Sequence, residues 1–320
     1  MMKESKAKVD STKPLHVKYR PKDWNEVVGQ SAAVKALSRL IKDRASQAYI
    51  LTGPSGCGKT TLARIAAMKW GCLPQSIIDI DAATNSGIDH VRSIQDMARY
   101  RSFGEGGERA IIIDEAHGLS RQSWDALLKS IEEPAAHVVW FFCTTNFAKV
   151  PATIKTRCTP IVLKSVSEKA LGILYDNVCD AEGIDLRDDI ADYIIKQAQG
   201  SPRQLLVNLE LCREAQDKRE VQMLLQQASE SDAVLELCRF LMRPGSWMKV
   251  MAIVNRIDAD SHEGTRIVVT NYFGSVLKNA KSDKEAIHAL SIIENFATPY
   301  NQNEGIAPLL LSVGRTLFQN

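Results

Sequence analysis

Residues 53–60 read Gly-Pro-Ser-Gly-Cys-Gly-Lys-Thr, which fits the phosphate-binding pattern G-x-x-x-x-G-K-[ST] at every fixed position. Such a loop works only between a buried strand and a helix, so it constrains the fold more than any other stretch of the chain. Its flanks supply both. Ala48-Tyr49-Ile50-Leu51 reads as a short buried strand, and residues 61–68 carry apolar side chains at helical spacing. Gly53, Gly56 and Gly58 let the backbone wrap a polyphosphate with its amides pointing inward, and Pro54, Ser55, Cys57 and the following Thr61 complete the cradle. The helix N-terminus adds a favourable dipole, Lys59 a positive charge, and the Thr60 hydroxyl a ligand for Mg2+. A nucleoside triphosphate is the expected ligand.

From about Gln47 to Leu163 the pattern alternates strand and helix, which predicts a parallel sheet covered on both faces. Strands are expected at 48–52, 76–81, 110–114, 138–144 and 160–163, with helices at 60–70, 88–100 and 120–132. Asn85-Ser86-Gly87 and residues 103–107 read as loops. After Ser165 the strands stop. Residues 167–182, 186–199 and 202–215 predict three amphipathic helices, with Ser167 an N-cap and Gly200 a stop. From about Ser229 the pattern is again helical, with breaks near 243–246 and 298–301. The expected fold is α/β plus all-α: a parallel-sheet nucleotide domain over 1–165, a small helical domain over 166–228 and a helical C-terminal domain over 229–320.

A length of 320 residues suits two or three domains. Apolar content of 45% and charged content of 24% are ordinary for a soluble globular chain. No apolar run approaches the roughly 18 residues of a membrane span, and the first dozen residues are polar, so we expect a cytoplasmic protein with a short disordered start and no membrane partner. A net charge of +2 excludes a polycation, so any nucleic-acid contact must come from a local basic patch or from several subunits presenting one face. The seven cysteines (57, 72, 143, 158, 179, 212, 238) include no C-x-x-C pair, which argues against zinc and against a disulfide framework.

The second chemical signal is Ala110-Ile-Ile-Ile-Asp-Glu-Ala-His117. A buried strand ending in Asp-Glu places two carboxylates at the sheet edge beside the phosphate loop. There Asp114 can hold Mg2+ through water and Glu115 can polarise the attacking water. The letters DEAH also head a helicase motif, but one nucleotide domain without a second motif set does not fit a helicase. His117 reads as a helix-start residue near the site. Residues 138–146 form another buried strand, whose Thr145 or neighbouring Asn146 can orient water or meet a γ-phosphate. Arg157, before the last strand, and Arg203, at the start of the third helix of the small domain, can each stabilise charge on a transferring phosphoryl group, in the same subunit or in a neighbour. Met97, Tyr100 and Phe103 are near helical spacing and read as core, or as a contact for a partner.

Together these residues resemble an AAA+ ATPase of the sliding-clamp-loader family along residues 15–227. Lys18-Tyr19-Arg20-Pro21, Trp24 and Val27-Val28-Gly29-Gln30 are similar to the family's N-terminal segment, which implies that Tyr19, Arg20, Pro21 and Val28 pack against adenine. Residues 119–134 resemble the bacterial gamma/tau subunit, and Thr156-Arg157-Cys158 stands for the family's Ser-Arg-Cys. The resemblance implies that Arg157 is a finger reaching a neighbour's ATP, that Arg203 is a sensor for the subunit's own ATP, and that Thr145 is the first sensor. The gamma/tau four-cysteine zinc module is missing, since only Cys72 precedes the next strand, so the chain also looks like the compact loader subunits of phages or the replication factor C small subunits. Residues 166–228 then correspond to the lid and 229–320 to an oligomerising collar. Arg92, Arg121, Gln122 and Ser123 are the implied DNA contacts.

The resemblance implies an ATPase that uses ATP and Mg2+ to open a sliding clamp and load it onto primer–template DNA. Its implied partners are copies of itself in a homo- or hetero-oligomeric ring or spiral, a further loader subunit, the clamp and the DNA. Two alternatives stand beside it: another AAA+ DNA machine such as a branch-migration motor, and a nucleotide-binding scaffold that does not hydrolyse.

Overall fold

Five strands, β1 (Ala48–Thr52), β2 (Ile77–Asp81), β3 (Arg109–Asp114), β4 (Val138–Thr144) and β5 (Thr159–Val162), form one parallel sheet in the order β2-β3-β4-β1-β5. The computed structural model describes residues 13–84, 87–102, 107–243, 245–257, 262–300 and 305–318. The polar first dozen residues, Asn85, Ser86, Phe103, Pro244 and Asn301, which figure in the sequence expectations, lie outside them. All seven positions of β4 are buried, as a strand covered on both faces requires. Strand alternation then divides the core in two. Ile50, Ile111, Ile113, Trp140 and Phe142 face one side, and Tyr49, Leu51, Ala110, Ile112 and Phe141 the other.

The helices that cover these faces are α2 (Ser31–Lys42), α3 (Lys59–Trp70), α4 (Ile88–Ala98), α5 (Arg121–Glu132) and α6 (Ala152–Lys155), while the short α1 (Leu15–Lys18) lies before them in the chain. Leu37 and Ile41 of α2 and Leu62, Ala63 and Ala66 of α3 cover one face, while Val91 and Ile94 of α4 and Trp124, Leu127 and Ile131 of α5 cover the other. The Trp124 ring lies 5.3 Å from Phe142, centroid to centroid, which fixes the start of α5 over the end of β4.

The small helical part comprises α7 (Glu168–Glu182), α8 (Asp188–Gln197) and α9 (Pro202–Cys212). Ser167 caps α7 by accepting from Ala170 N, and Ser201 caps α9 by accepting from Gln204 N. Gly200 has φ +81, and a Cβ there would lie 2.7 Å from Ser165 Cβ. Only glycine lets the two segments touch.

The chain divides into two compact units, residues 1–218 and 219–320. The second holds nearly all of α10 (Lys218–Leu241), then α11 (Trp247–Val254), α12 (His262–Lys278), α13 (Asp283–Asn295) and α14 (Ala307–Phe318), around Leu237, Leu241, Val250, Val269, Phe273, Ile292, Phe296 and Leu309. The boundary expected between 228 and 229 falls inside α10, because no glycine or proline interrupts residues 218–241. Among the described residues no helix is long and apolar enough to cross a membrane.

Candidate active site

β1 delivers the chain into the phosphate loop, and the loop delivers it into α3. Gly56 (φ +70) lies so close to Ser201 that a Cβ would meet its Oγ at 2.1 Å. Gly58 (φ +104) has open space where a side chain would stand, so backbone amides line the approach to the N-terminus of α3. Lys59 is only 6% exposed, and its Nζ donates to Gly53 O at 3.0 Å and Pro54 O at 2.8 Å. The ammonium group is thereby fixed against the loop.

The acid pair stands opposite. β3 ends at Asp114, whose Oδ2 accepts from Thr60 Oγ1 at 2.6 Å and whose Oδ1 accepts from Glu115 N at 3.0 Å. A hydroxyl and a carboxylate this close form the hard oxygen set that suits Mg2+. Glu115 adopts a left-handed conformation (φ 46, ψ 40) that turns the chain sharply off the strand. Its Oε2 accepts from Thr145 Oγ1 at 3.2 Å. Thr145, and not Asn146, reaches the acid: Asn146 Oδ1 accepts from Lys149 N and caps the short turn Phe147–Lys149.

A cleft of about 370 Å3 runs from these residues to the small helical part. Tyr19, Arg20, Pro21 and Val28 line one end, residues 55–61, Asp114 and Glu115 the other, and Leu174, Pro202, Arg203 and Leu206 reach in from α7 and α9. Apolar walls at one end and Lys59 with a helix N-terminus at the other fit a nucleoside triphosphate. Arg20 Nε donates to Thr61 Oγ1 at 3.2 Å. Lys18 Nζ and Tyr19 OH both donate to Glu182 Oε1, and Leu15 N donates to Glu210 Oε2 at 3.1 Å, so the N-terminal segment is tied to α7 and α9. Burial and the bond to Glu182 push the Tyr19 phenol up to about 12, and the Lys18 and Tyr19 bonds hold the Glu182 carboxyl below its usual range. Burial also pushes the Cys57 thiol up, against the pull of Lys59.

A family model described as DNA polymerase III, delta subunit, matches residues 74–167. DNA polymerase III subunit gamma of Buchnera aphidicola subsp. Schizaphis graminum is 30% identical over 278 residues, which cover 79% of this chain and 76% of that protein. The chain belongs to the DNA polymerase III gamma/tau family. The gamma/tau subunit of Mycobacterium tuberculosis is 34% identical over 216 residues, and the tau subunit of Bacillus subtilis 32% over 218. Those stretches cover 60% and 61% of this chain but only 37% and 38% of the relatives, so the chain spans little more than a third of their length. The RuvB Holliday junction branch migration motor of Thermotoga maritima superposes with a TM-score of 0.57 at 20% identity, over 76% of this chain and 87% of that one. That likeness shows the fold alone.

Within this gamma/tau chain Arg157 does not enter its own cleft. It follows α6, where Nε and Nη2 engage Glu132 at the end of α5 and Nη1 donates to Thr153 O at 2.8 Å. Arg92, Arg121 and Gln122 are exposed. The Ser123 side chain is buried, with its hydroxyl 2.8 Å from Ser120 Oγ, because both belong to the cap of α5. The core reading of Met97 and Tyr100 also fails, since they are 43% and 72% exposed. Two contributions escape the sequence. Leu174 and Leu206 wall the cleft, yet their helical spacing is that of ordinary core residues. The His117 side chain lies against Glu115, with Nδ1 3.3 Å from Oε2, and no spacing rule announces that contact.

Proposed function

We propose that the chain is the ATPase subunit of a sliding-clamp loader, using ATP binding and hydrolysis to open a DNA polymerase processivity clamp and load it onto primer–template DNA. The observation that carries this reading is the juxtaposition of Lys59, Thr60, Asp114, Glu115 and Thr145 around one cleft in a gamma/tau-family chain. Lys59 and the loop amides bind and orient the triphosphate. Glu115, steadied by Thr145, takes up the proton of the attacking water, and Arg203 on α9 draws the small helical part toward the bound nucleotide. Thr60 and Asp114 would hold Mg2+, which neutralises charge on the phosphate oxygens.

Arg157, outside its own cleft, is offered to the cleft of an adjacent subunit in a ring or spiral, with residues 166–218 acting as lid and the second unit as collar. Arg92, Arg121 and Gln122 are offered to DNA phosphates, and exposed Met97 and Tyr100 to the clamp. The intact acid pair and Lys59 weigh against a scaffold that does not hydrolyse.

Glu115→Gln is expected to bind ATP normally by calorimetry and to lose turnover by about 10²–10⁴-fold in a phosphate-release assay, the range of a missing general base. Lys59→Ala is expected to lose binding as well. Wild-type turnover in Glu115→Gln, or wild-type affinity in Lys59→Ala, refutes the assignment.

A further inference from the structure

His117 follows the acid pair by two residues, and the turn between them decides what its ring can reach. Glu115 in the left-handed region starts a short turn, Ala116–Gly118, closed by Gly118 N donating to Glu115 O at 2.7 Å. The turn is wedged against β2's exit: a Cβ on Gly118 would lie 3.0 Å from Ala82 O. Held there, His117 points its Nδ1 at two oxygens, Thr144 Oγ1 at 3.1 Å and Glu115 Oε2 at 3.3 Å. With its proton on Nδ1, the ring donates to Thr144 Oγ1 and turns the same N–H toward a carboxylate, which can only accept. Thr144 Oγ1, which accepts from Asn146 N at 3.0 Å, has a second lone pair with which to share it.

Thr145 and His117 therefore converge on the same oxygen of Glu115. Both donors stand on backbone that is itself fixed, one at the end of β4 and one in the wedged turn. With Oε2 bonded by Thr145 and faced by His117 Nδ1 at 3.3 Å, Oε1 is the oxygen left with basic lone pairs. A carboxylate free to rotate would present neither oxygen steadily, whereas one bonded by Thr145 and faced by the His117 ring is orientated before water arrives. We propose that His117 is a positioning residue for hydrolysis, holding Glu115 Oε2 together with Thr145 so that Oε1 is the oxygen that takes the proton from water. The inference rests on the reading of Glu115 as the base, and it adds a residue that motif spacing does not assign.

The test replaces His117 in the full chain by Ala, by Asn and by Gln, and follows ATP hydrolysis with Mg2+ and primer–template DNA. An Asn amide nitrogen occupies the place of Nδ1, while a Gln amide mimics Nε2 and points elsewhere. His117→Ala and His117→Gln are expected to lower kcat on the order of 10-fold, the lower end for losing an outer hydrogen-bond partner of an active-site group, with KM unchanged. His117→Asn is expected to recover most of the rate. If Ala fails to fold, the contrast between Asn and Gln still decides.

A readout without nucleotide accompanies it. Histidine 15N spectra of the wild-type chain are expected to show the His117 proton on Nδ1, with the resonance moving in Glu115→Ala. Unchanged or raised kcat in His117→Ala, equal rates for Asn and Gln, or the proton on Nε2 overturns the proposal. Glu115→Gln run in parallel separates the two readings: slow turnover there with wild-type turnover in His117→Ala defeats the His117 role alone, and wild-type turnover in Glu115→Gln defeats both.

Discussion

Gly56 shows how far a single residue decides whether the cleft can form. Its positive φ is open to glycine and strained for other residues, and its missing side chain is what lets the cap of α9 approach the phosphate loop. Gly56→Ala is expected to destabilise the first unit by about 1–3 kcal/mol, the cost of holding a side chain in sparsely populated backbone, and to weaken nucleotide binding. Gly274 is the contrasting case: it lies in the middle of α12, has no positive φ, and leaves nothing within 4 Å of where a Cβ would stand. There the same substitution is expected to stabilise the second unit by about 0.5–1 kcal/mol. Urea unfolding of the full chain reads both, and opposite signs at the two glycines are the expected result. At this scale the motif letters make most of the cleft legible. Lys59, Thr60, Asp114 and Glu115 follow from spacing because phosphate chemistry demands those groups at those places. The role of His117 does not, since nothing in a histidine after two acids reveals that Glu115 turns left-handed and carries the ring under the end of β4.

At the scale of elements, the tie between the N-terminal segment and α7 links the apolar end of the cleft to the small helical part. Lys18 and Tyr19 hold the Glu182 carboxyl below its usual range. A group depressed in the folded state contributes stability above its ordinary value, about 4.3 for Glu, and loses it as pH falls through the folded value. Wild type is therefore expected to be more stable than Glu182→Gln at pH 7. The gap should close as pH falls below about 4.3. Urea midpoints for the two proteins at pH 7 and at acid pH check this, and a gap that persists or widens in acid contradicts it. The strands are legible almost to the residue because a strand buried on both faces is a continuous apolar run, and β1 and β4 are such runs. The cap at Ser167 and the stop at Gly200 are legible for equally local reasons. The exposure of Met97 and Tyr100 is not, because apolar spacing on a helix is the same whether the stripe meets a core or remains exposed. The extent of α10 escapes for a related reason: the unit boundary is a property of contacts, and the helix carries no local signal at 228.

At the scale of the whole molecule, the deciding matter is where Arg157 acts. Its side chain lies outside its own cleft, engaged with Glu132 at the end of α5. An ion pair this accessible is worth about 0–1 kcal/mol, little enough for a neighbour's triphosphate to displace. The near-neutral total charge agrees with sites and DNA contacts shared among several chains instead of concentrated on one. Arg157→Ala is accordingly expected to keep its own ATP affinity while losing on the order of 10³-fold or more in turnover, as for other arginine fingers. The most direct measurement mixes Arg157→Ala with Lys59→Ala in demonstrated mixed assemblies and follows DNA-stimulated phosphate release. Interfaces that join an intact Lys59 to a neighbour's intact Arg157 should restore part of the activity that neither variant shows alone. No recovery, with mixed assembly established by native mass spectrometry, would contradict a site shared between subunits.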